Sequence, residues 1–170
     1  MNARPARIED AGSIAEIHVR TWQAAYPGIV PDDYLASLSV DEYEGKWRER
    51  IVQGRPQILV AEESNEVLGW VAFGPSRDEG ASTDAAEIWA IYVGAAHWGR
   101  GVGRLLWRHA RASLREQGFK VVSLWAFPEN LRAGRFYRAL GFAMEESSSK
   151  SVTLGGANLD EVRFVRAIDV

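Results

Sequence analysis

The chain has 170 residues, 46% of them hydrophobic, which is enough for one sizeable core and too few for two, so a single domain over residues 1–170 is expected. With 20 basic against 23 acidic residues, the net charge of −3 gives no global attraction to nucleic acid or to an anionic membrane, and neither is expected as a partner. The absence of cysteine excludes disulfides, thiolate metal ligands and a thiol nucleophile, and a charged MNARPARIED start with no apolar run of ~20 residues leads us to expect a cytoplasmic protein.

Arg4 to Ile8 reads as a short edge strand, and Asp10 as the cap of a helix that carries Ile14, Ile17, His18, Thr21, Trp22 and Ala25 at helical spacing. Pro27-Gly28 ends it. Pro31-Asp32-Asp33 opens a second helical piece, and Asp41 a third with Tyr43, Trp47, Arg50 and Ile51 on one side. The segments ILVAEE and VLGWVAF around the turn SNE predict a β-hairpin, and the loop GPSRDEGASTDA separates it from a third strand, Glu87 to Val93. Val102, Leu105, Leu106, His109, Ala110, Ser113 and Leu114 predict an amphipathic helix ended by Gly118. VVSLWAF is apolar on both faces, as a central strand would be. Asn130 can cap a last helix whose stripe is Ala133, Phe136, Tyr137 and Leu140, with Gly141 as its stop. Phe142 to Met144 and Glu161 to Ile168 read as two closing strands around a mobile, serine-rich connection. The class is α/β with a mixed sheet.

The segment AEIWAIYVGAAHWGRGVGRLLWRHA places a strand, a glycine-rich corner and a helix start in immediate succession. Such a corner suits a phosphate, because the first N–H groups of a helix lack intrahelical partners and its dipole favours negative charge. Arg100 and Arg104 fall in the first turn, where the dipole alone disfavours cations, so a bound anion is expected there. Arg108, Arg111 and Arg115 read as a solvated helix face. GAAHWGRG has the outline of a P-loop but lacks its GK[ST], and the spacing of Gly99, Gly101 and Gly103 misses the dinucleotide fingerprint GxGxxG. His18, His97 and His109 lack metal-ligand spacing, and no metal is expected.

From Glu87 to Leu106, together with LWAFPENLRAGRFYRALGF, the chain resembles the GNAT N-acetyltransferase superfamily. The resemblance implies a GNAT fold with a splayed, bulged strand pair, and an enzyme that moves acetyl from acetyl-CoA to a primary amine by direct attack on the thioester. The family's Q/R-x-x-G-x-G/A loop, which holds the diphosphate of the co-substrate, falls on Trp98-Gly99-Arg100-Gly101-Val102-Gly103, with Arg104 beside it and Trp98 in place of Gln or Arg. Pantetheine would pair with the backbone near Ile91, Tyr92 and Val93, and Asn130 would reach the pantetheine or the diphosphate arm while capping its helix. The resemblance makes Glu87 the candidate general base, against the plain alternative of a solvated carboxylate, and Tyr137 the candidate acid at the leaving sulfur, against a core aromatic. Trp22, Tyr26 and Trp89 are the expected lining of the acceptor pocket. It also allows a homodimer; a CoA-binding sensor module without turnover is the alternative function.

Overall fold

The computed structural model describes residues 1–168. Its strands are β1 (Asn2–Pro5), β2 (Gln57–Glu63), β3 (Glu66–Pro75), β4 (Ala85–Val93), β5 (Val121–Ala126), β6 (Ala143–Leu154) and β7 (Ala157–Ala167), in the sheet order β1-β2-β3-β4-β5-β7-β6. Only β4 and β5 run parallel, as a connection through a helix requires, and every other neighbour is antiparallel. The helices are α1 (Ala11–Ala25), α2 (Asp32–Ser37), α3 (Val40–Gln53), α4 (Val102–Glu116) and α5 (Leu131–Ala139).

The period of two along β3 divides the core between the faces of the sheet. Val71 and Phe73 bury against Val102, Leu106, Ala110 and Leu114 of α4, whereas Trp70 and Ala72 bury against Ile14 and Ala15 of α1 and Trp47 of α3. The four-residue spacing of the α4 positions gives that helix one continuous apolar stripe, and each buried leucine contributes about 1.5–3 kcal/mol relative to exposure.

The sheet opens where its parallel pair ends. β4 pairs with β5 only through Ala85↔Val121, Ala86↔Val122 and Glu87↔Ser123, while on its other edge a bulge between Ala90 and Ile88 leaves Trp89 without a β3 partner. Beyond Glu87 the two strands diverge, so the gap is bounded by β4 on one side and β5 on the other. The splayed, bulged pair is the one expected from the sequence.

Three local expectations are corrected. Asp10 does not cap α1 through its side chain; its carboxylate instead accepts the Arg7 N–H at 2.7 Å and pairs with Arg4 at 2.7 Å. The third helical piece begins one residue earlier than Asp41, capped by Ser39, whose hydroxyl accepts the Glu42 N–H at 3.3 Å. The serine-rich segment is not a connection between short strands but most of β6, paired with β7 across a Gly155-Gly156 turn in which both glycines have positive φ. Among the described residues no helix is long and apolar enough to cross a membrane.

Candidate active site

A cavity of about 520 Å³ occupies the mouth of the gap, lined by the end of β4, the glycine corner, the start of α4 and the start of α5. The antiparallel ladder determines what β4 offers to it. The Gly94 N–H donates to the Leu68 carbonyl at 2.9 Å, so Gly94 and Tyr92 turn their backbone groups toward β3, and by alternation Ile91 and Val93 turn theirs into the gap. The Val93 carbonyl is already engaged, by the Trp98 indole N–H at 2.8 Å and the Thr21 hydroxyl at 3.3 Å. The Val93 N–H and both backbone groups of Ile91 are left facing the gap.

The corner itself is shaped for close approach. Gly101 sits at φ +84° immediately before α4, and a Cβ there would point into open space. The first-turn N–H groups of α4, at Val102, Gly103 and Arg104, have no partner within the helix and border the cavity. Arg104 and Arg132 line the same wall, Arg132 with its guanidinium 3.7 Å from the Trp98 ring centroid. Donors, helix dipole and two cations together suit a diphosphate.

A second cavity of about 200 Å³ adjoins it, lined by residues of β4, β5, α1 and the β6–β7 hairpin. Tyr26, Ile91, Tyr92, Asn130, Ala133 and Tyr137 line both, so the two cavities share a wall. At that wall three phenols influence one another. Burial, and then Tyr137, raises the pKa of Tyr26; burial, and then Tyr26, raises that of Tyr92; burial, and then Tyr92, raises that of Tyr137. All three therefore keep their protons at neutral pH. The Trp22 indole N–H donates to the Tyr92 hydroxyl at 2.9 Å and fixes its direction.

Of the residues expected to bind the co-substrate, Ile91, Tyr92, Val93, Trp98, Gly99, Gly101, Val102, Gly103, Arg104 and Asn130 line the larger cavity. Arg100 does not. Its guanidinium faces away, 3.1 Å from Glu63 and 3.0 Å from the His97 ring. Asn130 caps α5, accepting the Ala133 N–H at 3.1 Å, and borders both cavities. Trp22, Tyr26 and Trp89 all line the smaller cavity. Gly103 has a reason of its own: a Cβ there would lie 2.8 Å from the Phe136 ring, so glycine is needed for α4 to approach α5.

Glu87 is placed otherwise than expected. It is 1% exposed, lines neither cavity, and both carboxylate oxygens are held by Arg77, through the backbone N–H at 2.9 Å, Nε at 3.2 Å and a close Nη2 contact. The Arg77 guanidinium in turn stacks on Trp89, 4.4 Å from the ring centroid.

Sequence reading missed Arg132, which lies one residue into α5 without a motif, and the inner lining contributed by Trp125, Phe127, Val152, Leu154 and Glu161. These come from separated stretches of chain. Only the strand alternation of Val152 and Leu154 gave any local signal.

The model of the Acetyltransferase (GNAT) family matches residues 14–142. The N-acetyltransferase YuaI of Bacillus subtilis is 34% identical over 163 residues, covering 95% of this chain and 90% of its own. The L-amino acid N-acyltransferase MnaT of Escherichia coli is 28% identical over 160 residues, covering 94% and 90% respectively. Among solved structures, the PaiA N-acetyltransferase of Thermoplasma acidophilum in complex with coenzyme A superposes with a TM-score of 0.80 at 19% identity, over 98% of each chain.

Proposed function

The chain belongs to the GNAT acetyltransferase family, and we propose that it transfers the acetyl group of acetyl-CoA to a primary amine held in the smaller cavity. The observation that carries this reading is the wall common to both cavities. Ile91 and Tyr137 both line it, with an anion-suited corner on one side and a largely aromatic pocket on the other.

Acetyl-CoA, when bound, supplies the acetyl group as a thioester. Gly101, the first turn of α4, Arg104 and Arg132 would hold its diphosphate, and the open backbone groups of Ile91 and Val93 its pantetheine arm. The same N–H groups polarise the thioester carbonyl without help from any side chain. An acceptor nitrogen in the smaller cavity forms the new C–N bond as the C–S bond breaks, and its proton leaves to water or to a carboxylate beside it. Tyr137, held protonated by burial, donates its hydroxyl proton to the departing sulfur. Glu87, clamped by Arg77, serves as a positioning residue that fixes the 76–84 loop, with Arg77 over Trp89, against β4.

Thiol release from acetyl-CoA in the presence of a broad primary-amine library tests the reading. Amine-dependent release is expected for at least one acceptor, together with calorimetric binding of acetyl-CoA. Tight binding with no amine-dependent release would leave a CoA-binding module instead.

A further inference from the structure

The smaller cavity has an unusual lining for its size. Trp22, Trp89, Tyr92, Trp125 and Phe127 supply aromatic faces and edges, aliphatic side chains fill most of the remainder, and Glu161 of β7 is the single charged side chain among the described lining residues. Val152 and Leu154 of β6 also line it, and belong to one apolar cluster with Trp22 of α1, with Tyr26 that follows that helix, and with Phe127. Among the described residues no lysine or arginine lines the cavity.

Glu161 is half-buried, and among the described residues its carboxylate has no hydrogen-bond donor and no cation within 4 Å. The charges that act on it do so through space. Lys150, its register partner on β6, holds its ammonium over the Trp125 ring at 5.4 Å; Arg77 stacks on Trp89 and is committed to Glu87, which adds a like charge. Burial is the dominant influence and raises the pKa of Glu161. A carboxylate withdrawn from water without a partner is costly unless something completes it. A primary ammonium supplies what is missing, because it is a compact cation with three donors, and the surrounding rings attract it further by cation–π interaction.

We infer that Glu161 receives the acceptor as an ammonium ion and is the specificity-determining residue of the acceptor cavity, which selects small amines with an apolar or aromatic body and no carboxylate of their own. The selection has an attractive and a repulsive half. An α-carboxylate carried into the cavity with the amine would meet Glu161 and aromatic π-faces, both unfavourable to an anion, and no basic side chain to pair with. At about 200 Å³ the space is also below the roughly 300–1,000 Å³ of drug-sized ligand sites, which limits the acceptor's enclosed portion to a small group. This inference rests on the acetyl-transfer reading above.

Phenethylamine and phenylalanine form a matched pair of probes, because they differ only in the α-carboxylate. With acetyl-CoA and the purified protein, thiol release is expected to give phenethylamine a kcat/KM at least tenfold above that of phenylalanine. Glu161→Gln is expected to lower kcat/KM for phenethylamine roughly tenfold or more, mostly through KM, consistent with loss of one charge-assisted hydrogen bond. The preference over phenylalanine should shrink in the same variant, and Glu161→Asp should recover part of both effects. The acetyl-CoA Kd, read by calorimetry in all three proteins, is expected to stay constant and reports that the variants are folded. Preference for phenylalanine, an unaffected Glu161→Gln variant, or acetyl-CoA binding without turnover of either probe would each overturn the inference while leaving the co-substrate site standing. Failure of the wild type to bind acetyl-CoA would instead overturn the acetyl-transfer reading.

Discussion

Tyr137 and Glu87 were both expected to handle protons, and their surroundings separate them. Tyr137 borders both cavities, and its phenol is raised by burial first and by Tyr92 second, so it arrives at the reaction protonated. Tyr137→Phe should lower kcat on the order of 10²-fold with the acetyl-CoA Kd unchanged, since the hydroxyl matters only as the thiolate forms. Unaltered turnover in that variant would reduce Tyr137 to a packing residue between Phe136, Phe142 and Phe164. Glu87 answers to Arg77. Glu87→Gln keeps the shape of the side chain but withdraws the charge that holds the guanidinium, at a stability cost on the order of 1–3 kcal/mol. Its pH–rate profile should lie below that of the wild type by a constant factor, because a positioning residue scales the rate and a base reshapes its pH dependence. A variant whose defect disappears at high pH would restore Glu87 as the base.

The glycine corner combines two different requirements that a motif treats alike. At Gly101 the constraint is φ +84°, with open space where a Cβ would go; at Gly103 it is the Phe136 ring at 2.8 Å. Gly101→Val should therefore weaken acetyl-CoA binding tenfold or more while costing only the ~1–2 kcal/mol of a left-handed non-glycine residue. Gly103→Ala should lose roughly 1–3 kcal/mol of stability by overpacking, and Phe136→Leu in the same chain should return much of it. Calorimetry and thermal melts on the four proteins separate the outcomes; equal losses of affinity at both positions would mean that Gly103 serves the ligand rather than the helix contact. The same contrast explains what could be read in advance. The co-substrate side was legible because it falls in one stretch, from the end of β4 through the first turn of α4, where apolar periodicity and glycine spacing coincide. The acceptor side was legible only in Trp22, Tyr26 and Trp89, because Trp125, Val152 and Glu161 join them only after β5, β6 and β7 have paired. The β6–β7 hairpin was missed for a related reason: most of β6 is exposed and rich in serine, so its alternation is faint, and Gly155-Gly156 carried the turn signal alone.

The α1–α3 face of the sheet makes a prediction about the stability of the entire fold. His18 is 8% exposed and surrounded by rings, with centroids at 4.1 Å for Tyr43, 5.2 Å for Tyr92, 5.6 Å for Trp22 and 5.9 Å for both Trp47 and Trp70. The Trp47 indole N–H donates to Nδ1 at 3.2 Å, which requires that nitrogen to be unprotonated and places the proton of the neutral ring on Nε2. Burial first, then the cations Arg50 and Lys46, pushes the imidazole down to about 3 from its ordinary 6.5. Between those two values the unfolded chain binds a proton that the folded chain refuses, so stability is full above pH 6.5 and declines as the pH falls, at up to about 1.4 kcal/mol per unit. Against the opposing effect of burial, Asp10 is lowered by Arg4 and the Arg7 N–H and adds acid sensitivity only near the ordinary carboxylate range, whereas Glu161, raised by burial, gains stability as the pH falls; over a window from pH 7.5 to 5.0 the difference between the wild type and His18→Gln therefore reports the histidine. Urea denaturation across that window should show a loss of about 2 kcal/mol in the wild type. His18→Gln, which can still accept from Trp47, should be less stable at pH 7.5 and nearly flat down to pH 5.0. Because Trp22 and Tyr92 of the same ring cluster also line the acceptor cavity, amine turnover should fall along with stability on the acid side. A His18 ring that titrates near pH 6.5 by NMR, or a wild type whose stability is level over the window, would show that the ring cluster accommodates the imidazolium and would remove this link between packing and catalysis.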